Sequence, residues 1–516
     1  MATAAVRRPV PDLPEQDTRF FGHPRGLSTL FFTEMWERFS YYGMRALLIL
    51  FMTAPVAAGG LGFDTATAGP IYALYVSSVY FLSVPGGWVA DRILGLRRAV
   101  FVGGVIIMAG HICLAIPSIS TFYLGLTLIA VGTGLLKSNI SVLVGHLYRP
   151  DDVRRDAGYS IYYMGINTGG FIAPLITGWL AQSEGFRRIL ASAGFRPESA
   201  WHWGFGAAAL GMFLGLVQYR AGGKHLSTEG LQPVLPSEPV AAARVRRQVR
   251  LVEFISLAIV LGLIVVVATG MVRLDPEWIS RNFKWVLIAV TVAFFSWLFL
   301  SRGWSREERK RLVVIAVLFA AATVFWMAYE QAGSTLNLFA ARNTDNSIFG
   351  HSFPPSWYQS LPPLFIILFA PLFAAVWIRL GRRNPSSPAK FALALVLLGL
   401  GFAVMIGAAS AAVAGGRVSP LWLVLSYLLQ TLGELCLSPV GLSAMSVLAP
   451  ARIAGLVMGV WFLALSVGNY LAGMASSFYE TLPLPTLFSI VTATALATAV
   501  ILTLLIKPIR RMMARS

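Results

Sequence analysis

FFTEMWERFSYYGMRALLILFM, residues Phe31 to Met52, is apolar enough to enter a bilayer and yet carries Glu34, Glu37, Arg38 and Arg45. On insertion scales a charge at mid-bilayer costs about 2.5–3.5 kcal/mol, so an isolated helix with four of them inserts poorly. At about 100° per residue, Glu34, Glu37, Arg38, Tyr41, Tyr42 and Arg45 fall within an arc of about 140°. Phe32, Trp36, Phe39 and Gly43 take the opposite side. Charges gathered on one face of a spanning helix are expected to meet each other or a water-filled cavity, and Glu34 and Arg38, four apart, can pair within the helix. The stretch therefore predicts a transmembrane helix that lines the interior of a larger assembly.

The rest of the chain supplies that assembly. It has 516 residues, 56% hydrophobic and 12% charged, with a mean hydropathy of +0.69, far outside the soluble range. A span needs about 20 apolar residues. Runs of that length occur at 27–54, 68–91, 99–117, 121–147, 157–182, 202–220, 251–270, 284–301, 312–340, 356–380, 389–413, 420–447, 453–479 and 485–507. The fold class is an all-α polytopic membrane protein of fourteen helices, and an even count puts both termini on one side. Of the 41 basic residues, 30 fall on the terminal side, 8 on the other and 3 within helices. Because basic loops resist translocation, both termini are expected in the cytoplasm. The net charge of +18 then reads as orientation plus attraction to anionic lipid headgroups, with no nucleic-acid partner. The first residues, MATAAVRRPVPDLPEQD, lack the apolar core of a signal peptide. Cys113 and Cys436 both fall within spans and imply neither disulfide nor metal.

A cytoplasmic tail (1–25) is followed by six helices (26–220) and by a Gly-, Pro- and Arg-rich linker (221–250). Then come two helices without interior charges (251–301), expected to be peripheral, six more helices (302–509) and a tail (510–516). GGWVADRILGLRRAV after the second helix has an echo in AAVWIRLGRRNPSSPAKF after the second helix of the later half. Such a repeat marks transporters built from two bundles around a midplane site. GGWVADRILGLRR also resembles the signature of the major facilitator superfamily at Gly87, Asp91, Arg92, Gly95, Arg97 and Arg98, and is read as a cytoplasmic latch. Glycine permits a tight turn and close helix approach, and Asp91 can pair with arginines across that face.

Three other spans hold an ionisable residue: Lys137 in GTGLLKSNISVLVGHLY, Glu330 in FWMAYEQAGSTLNLFA and Glu434 in LQTLGELCLSPVGLSAM. The earlier half thus contributes Arg38, Arg45 and Lys137 beside two acids, and the later half acids alone. A permanent ion-pair lock would be as well served by packing, so charge complementarity between halves points instead to a gated cavity.

At this point the motifs resemble those of the proton-dependent oligopeptide transporters. EMWERFSYYGMRALL is similar to the family's Glu-x-x-Glu-Arg-Phe-x-Tyr-Tyr-Gly motif, and YYMGINTGGFIAPL to its fifth-helix signature. GTGLLKSNISVLVGHLY, WHWGFGAAALGM, FWMAYEQAGSTLNLFA and GELCLSPVGLS resemble its patterns in helices 4, 6, 7 and 10. The resemblance implies a bacterial member with two extra helices between the halves, importing di- and tripeptides with protons by alternating access. It implies no enzymatic activity and no cofactor beyond the proton. Glu34, Glu37, Arg38 and Glu330 would couple protons. Arg38 and Lys137 would take the peptide carboxylate, and Asn167 and Glu434 its amine. Tyr41, Tyr42, Tyr80, Tyr163, Trp326, Ser438 and Trp461 would line the cavity. Arg45 with Glu330, and Lys137 with Glu434, would form gate pairs. Localisation in the bacterial inner membrane and action as a monomer are expected.

The chemistry is coherent on its own terms. A zwitterionic peptide needs a cation at one end and an anion at the other, and Arg's planar fork suits a carboxylate while Lys adds a movable point charge. Protonating an intramembrane carboxylate removes its charge and weakens any gate pair it holds. Pro362 stands before Pro363 where the family commonly has Asn, removing a donor near the amine end. The fifth-helix signature ends Gly169-Gly170 instead of Gly-Ser, and helix 2 carries no His. His111, His146 and His202 lie near span ends and read as structural. Of Tyr162 and Tyr163, the latter is favoured for the cavity, one turn from Asn167. Carriers of nitrate, peptide-like compounds or drugs on the same fold are the nearest alternatives, and nitrate leaves Glu434 unexplained. A membrane enzyme should keep its acids, His or Ser in sizeable loops; a receptor without transport is separable only by proton flux.

Overall fold

The computed structural model describes residues 17–149, 152–226, 230–233, 238, 240, 243–252, 254, 275–450 and 453–513. Apart from one small hairpin these are helices and their connections. They comprise α1 (Arg25–Thr53), α2 (Thr65–Phe81), α3 (Ser83–Val89), α4 (Leu96–Leu114), α5 (Ile119–Gly145), α6 (Arg155–Gln182), α7 (Glu184–Ser192) and α8 (Ala200–Gly222). After the linker follow α9 (Pro276–Leu300), α10 (Arg306–Tyr329), α11 (Thr335–Asn343), α12 (Leu361–Leu380), α13 (Ser387–Gly415), α14 (Leu421–Leu448), α15 (Ala454–Ser476) and α16 (Leu484–Met513). Among the described residues ten helical runs are long and apolar enough to cross a membrane. The chain is therefore a multi-pass membrane protein. The expected span at 251–270 lies for the most part outside the described residues.

Local chemistry sets the ends. Asp64 caps α2 by accepting from Thr67 N–H at 2.8 Å, and Ser305 with Glu308 forms a reciprocal capping box on α10. Two expected spans are broken. The run 68–91 divides at Leu82, and Pro85, which cannot donate to Phe81, lies in the short α3 beyond. The run 312–340 divides at a 3₁₀ turn, Glu330–Gly333, before α11. There a Cβ on Gly333 would lie 2.7 Å from Arg45 Nε, so the backbone itself makes room for a side chain from α1. A third departure is α7, an amphipathic surface helix burying Phe186 and Leu190 where only a loop was expected.

Helix α1 packs on α6 and α8, α4 on α5, α13 on α14 and α16, and α10 on α15 and α16. Residues 25–222 meet residues 306–513 mainly where α2 runs against α15 and α6 against α12. Helix α9 rests on α2 and leaves Trp285, Val292 and Leu300 exposed, as a lipid-facing helix would.

Candidate functional site

The polar face of α1 turns inward. Glu34, Glu37 and Arg38 are buried, and Arg38 Nε lies 2.9 Å from Glu34 Oε1 and 2.6 Å from Glu37 Oε2. Arg38 Nη2 and Glu37 Oε1 are buried and have no hydrogen-bond partner among the described residues. The guanidinium thus bridges two acids, a triad one negative charge in excess while both are ionised, and retains donor capacity. Close approach of α6 makes this possible: a Cβ on Gly169 would lie 2.2 Å from the Met35 carbonyl oxygen. Tyr162, also buried, faces Glu34, so it belongs to the acidic cluster as well as to the packing.

Lys137 extends from α5 toward the same centre. Its ammonium sits 3.6 Å from the centroid of the Tyr80 ring and 5.9 Å from that of Tyr41, and the Arg38 guanidinium is 5.5 Å from Tyr41. Two cations therefore share one aromatic ring, an arrangement stabilised by the electron-rich ring face. Tyr42 and Tyr163 keep part of their surface exposed, and Tyr163 stands within electrostatic reach of Glu434. Asn167 donates its amide to the Tyr163 carbonyl at 2.9 Å, within its own helix.

Across from this cationic side, Glu434 on α14 accepts a hydrogen bond from the Tyr329 hydroxyl. Tyr329 stacks on Phe325 and meets Trp326 edge-on, with centroids 5.6 and 5.7 Å apart. Ser438 is one turn on from Glu434, half-buried. Trp461 is buried against Gly441, where a Cβ would come within 2.1 Å of the indole. Pro362 and Pro363 open α12, where the first turn has no intrahelical acceptor for its N–H groups. Pro363 Cγ and the Tyr42 ring would each be 3.1 Å from a Cβ on Gly170. The missing serine of the fifth-helix signature thus coincides with the α6–α12 contact.

Arg45 and Glu330 join the two parts of the chain. Arg45 Nη2 is 2.5 Å from Glu330 Oε2, both residues buried. Arg45 Nε donates to Tyr72 Oη at 2.9 Å, and Nη2 also reaches the Glu330 carbonyl at 3.4 Å, occupying one of the orphan carbonyls at the end of α10. The second expected pair, Lys137 with Glu434, is not made in this conformation: Lys137 is held by aromatic rings and Glu434 by Tyr329.

The side-chain hydrogen bonds that join residues 17–226 to residues 306–513 gather in the half of the molecule where α1 finishes at Thr53, hereafter the distal end. Asn337 Nδ2 donates to the Ala46 carbonyl at 2.8 Å, the Ser77 and Ser466 hydroxyls meet at 2.8 Å, and Ser356 Oγ donates to Gln182 Oε1 at 2.7 Å. Trp357 Nε1 donates to the Leu175 carbonyl at 3.0 Å and Ser360 Oγ to that of Phe171 at 2.7 Å. The distal end is closed.

At the other end Gly95, with φ of 80°, turns the chain between Asp91 and Arg97. Arg97 Nη2 donates to the Gly223 carbonyl at 2.7 Å, and its N–H to that of Gly230 at 2.9 Å. The turn read as a latch is therefore bound to the start of the linker. Tyr72, Tyr162 and Tyr329 are the participants that sequence reasoning did not assign to the site. For Tyr72 a signal existed, since Tyr72, Tyr75 and Tyr80 share one face of a helix; for Tyr329 it was adjacency to Glu330. Among the described residues no group of three or more His, Cys, Asp or Glu is placed to hold a metal ion.

Known proteins resemble this chain along nearly its whole length. The profile of the POT family matches residues 97–490. The chain is 42% identical over 509 residues to "Peptide transporter YePEPT" of Yersinia enterocolitica subsp. palearctica serotype O:3 (strain YE-P4), covering 96% of each. It is 38% identical over 514 residues to the "Di-/tripeptide transporter" of Lactococcus lactis subsp. cremoris, covering 97% of this chain and 99% of that one. Its fold is similar to the crystal structure of a mutant peptide transporter POT in complex with alafosfalin, with a TM-score of 0.83 at 40% identity, over 97% of this chain and 98% of the other.

Proposed function

The chain belongs to the POT family and is a peptide transporter, not an enzyme, and from that premise we propose how it works. It imports di- and tripeptides together with protons by alternating access. Its architecture is that of the major facilitator superfamily, two six-helix bundles with two helices between them, fourteen in all. It lies in the bacterial inner membrane as a monomer with both termini cytoplasmic and anionic headgroups against its basic loops, and it needs no cofactor. A closed distal end then means a site open toward the cytoplasm.

The peptide carboxylate goes to Arg38 and Lys137 and the amine to Glu434, with Asn167 and Ser438 beside it. Tyr41, Tyr42, Tyr80, Tyr163, Trp326 and Trp461 line the space for side chains. Because both clamps hold groups common to every peptide, side chains are free to vary. Glu34 and Glu37, sharing one arginine, take up the proton with Glu330. Lys137 and Glu434 pair only when the end near the termini closes, and the Asp91–Arg98 turn latches that end. Nitrate or drug transport on the same fold is not favoured, since the relatives are named for peptides.

The observation that carries this reading is the buried Arg45–Glu330 pair at 2.5 Å, which links the two parts of the chain through a carboxylate a proton can neutralise. Inward proton movement supplies about 2.3 kcal/mol per charge per 100 mV. The test is dialanine accumulation by purified protein in liposomes, with and without an inward proton gradient. Wild type should accumulate only with the gradient, and Glu330→Gln should lose accumulation while retaining counterflow. Gradient-driven accumulation by Glu330→Gln would remove Glu330 from the coupling path.

A further inference from the structure

The first N–H groups of a helix have no acceptor inside it and must find one elsewhere. At the start of α2, two of them are taken by carboxylates from different parts of the chain. Thr67 N–H goes to Asp64, three residues away, at 2.8 Å. Thr65 N–H goes to Glu480 Oε2 at 3.3 Å, an acceptor 415 residues on and beyond the end of α15. Thr65 is fully buried there, and four residues along a Cβ on Gly69 would lie 2.7 Å from Ser477 N. The start of α2 therefore rests against the segment 476–480.

The carboxylate that reaches α2 is held from behind. Arg342 Nη1, at the end of α11, lies 2.6 Å from Glu480 Oε1. One carboxylate oxygen thus faces its own part of the chain and the other faces α2. Tyr479, buried beside it, donates its hydroxyl to Asn343 Oδ1 at 2.6 Å, and the Arg342 guanidinium is 5.6 Å from the centroid of the Tyr479 ring. Residues 342–343 and 479–480 therefore form one block within the later part, from which a single anion crosses the seam. An anion suits a helix N-terminus, where the aligned backbone dipoles leave positive charge. Burial alone would raise the Glu480 carboxyl, but the bonds from Arg342 and Thr65 outweigh it and hold the pKa below the ordinary 4.5, so the carboxylate is a fixed charge at neutral pH.

We propose that Glu480 is the outer clasp of the transport cycle, an anion of the later part that caps α2 of the earlier part while the distal end is closed and lets it go when that end opens. The assignment rests on the alternating-access reading above. Glu480 is a positioning residue: it touches no substrate and acts by favouring one of two conformations. Its bond to Arg342 is internal to the later part and is present in both states. Only the bond to Thr65 differs between them, and a contact made in one state alone is what shifts a population.

The test reads how often the distal seam opens. Ser77→Cys, buried where α2 meets Ser466 of α15, is introduced into the full chain with Cys113 and Cys436 replaced by serine. In right-side-out vesicles its alkylation by a membrane-impermeant maleimide proceeds in proportion to the open fraction while closed molecules predominate. Glu480→Ala should raise the rate about two- to fivefold, the worth of a carboxylate at a helix N-terminus. Glu480→Gln, isosteric and uncharged, should raise it too and serves if the alanine variant does not fold. Exchanging the charges, Arg342→Glu with Glu480→Arg, restores an ion pair within the later part but sets a cation against α2, so the rate should stay high. Thr177→Cys, buried inside the earlier part where the threonine hydroxyl donates to the Gly43 carbonyl, reports general loosening and should not change. A wild-type rate in folded Glu480→Ala and Glu480→Gln, a wild-type rate after the charge exchange, or a parallel rise at Thr177→Cys would overturn the clasp. Failure of wild type to accumulate dialanine in liposomes would instead overturn the transport reading on which it rests.

Discussion

Closure of the distal end can be perturbed without touching a charged group, by adding one methyl at Gly473. Helices α2 and α15 approach so closely there that a Cβ on Gly473 would lie 2.5 Å from Ala73 Cα, 2.6 Å from its Cβ and 2.6 Å from its nitrogen. Carbon atoms pack at about 3.5–4.0 Å, so the helices must part by about 1 Å, and backbone cannot yield as a flexible side chain would. Overpacking of this kind costs about 1–3 kcal/mol. If the two helices separate when the distal end opens, the cost falls on the closed state alone and multiplies the open-to-closed ratio by about 5–150. A protein open in about one molecule in a hundred would become open in about 5% to 60%. Spin labels on Ile189→Cys and Val413→Cys, two exposed distal positions, report the change by double electron–electron resonance once Cys113 and Cys436 are replaced. The matched control is Gly103→Ala, where a Cβ would meet the Gly132 carbonyl at 2.7 Å, a clash inside one part of the chain. It should lower stability and leave the distances unmoved. A folded, peptide-binding Gly473→Ala with the wild-type distance distribution would refute the idea that this seam closes the distal end.

Other substitutions probe the site and the N-terminal segment. Glu37→Gln should abolish gradient-driven dialanine accumulation and spare counterflow in liposomes; accumulation at the wild-type level would exclude Glu37 from coupling. Tyr329→Phe removes the phenol that occupies Glu434. A peptide amine then has nothing to displace, so apparent affinity for dialanine should rise by about tenfold or more, the worth of a hydrogen bond to a charged group. Affinity for N-acetyl-dialanine should not change, and equal shifts for both would make Tyr329 merely structural. Outside the membrane, His23 Nδ1 meets Tyr148 Oη at 2.9 Å, and burial together with nearby Arg154 holds its pKa below the usual 6.5, against a smaller opposing pull from Asp152. The docked imidazole therefore binds fewer protons than the free one. Its contribution to docking is complete above about pH 6.5 and is lost as pH falls below it. Hydrogen exchange at the Phe20 amide, which bonds the His23 carbonyl at 3.1 Å, should accelerate as pH drops from 7 to 5 relative to intrinsic rates. The acceleration should be absent in His23→Gln.

Most of this site was legible because charge inside an apolar span is expensive and so conspicuous. Glu34, Glu37, Arg38 and Arg45 declared a polar face on α1 by spacing alone, and the face is buried. What the sequence did not reveal depends on partners far along the chain. The break at Glu330–Gly333 has no proline to announce it; it accommodates an arginine 285 residues away. Pro85 did announce the kink after Phe81, but a run of apolar residues reads straight through it. The expected Lys137–Glu434 pair was inferred by resemblance to a gate, and a gate pair need exist in only one conformation; here Tyr80 and Tyr329 take those two side chains instead. The short α7 shows the opposite failure. Its helical period was present in EGFRRILAS, but the length fell below what a search for spans detects.

The Arg45–Glu330 pair and the distal seam can be weighed against each other. Protonating Glu330 with nothing else moving would leave the Arg45 guanidinium buried opposite a neutral acid, held by Tyr72 Oη and the Glu330 carbonyl. Removing one partner of a buried pair costs about 3–5 kcal/mol. That exceeds the 1.5 kcal/mol or so that any single neutral hydrogen bond of the seam, such as Ser77–Ser466, contributes. A proton on Glu330 therefore withdraws stabilisation comparable to two or three seam hydrogen bonds and biases the equilibrium toward releasing Arg45 to water, and Tyr329, one residue earlier, is the last residue of α10. Since Tyr329 is also the donor to Glu434, the residue that holds the group expected to take the peptide amine is joined by a single peptide bond to the group expected to take the proton. Coupling between them needs no relay across the protein.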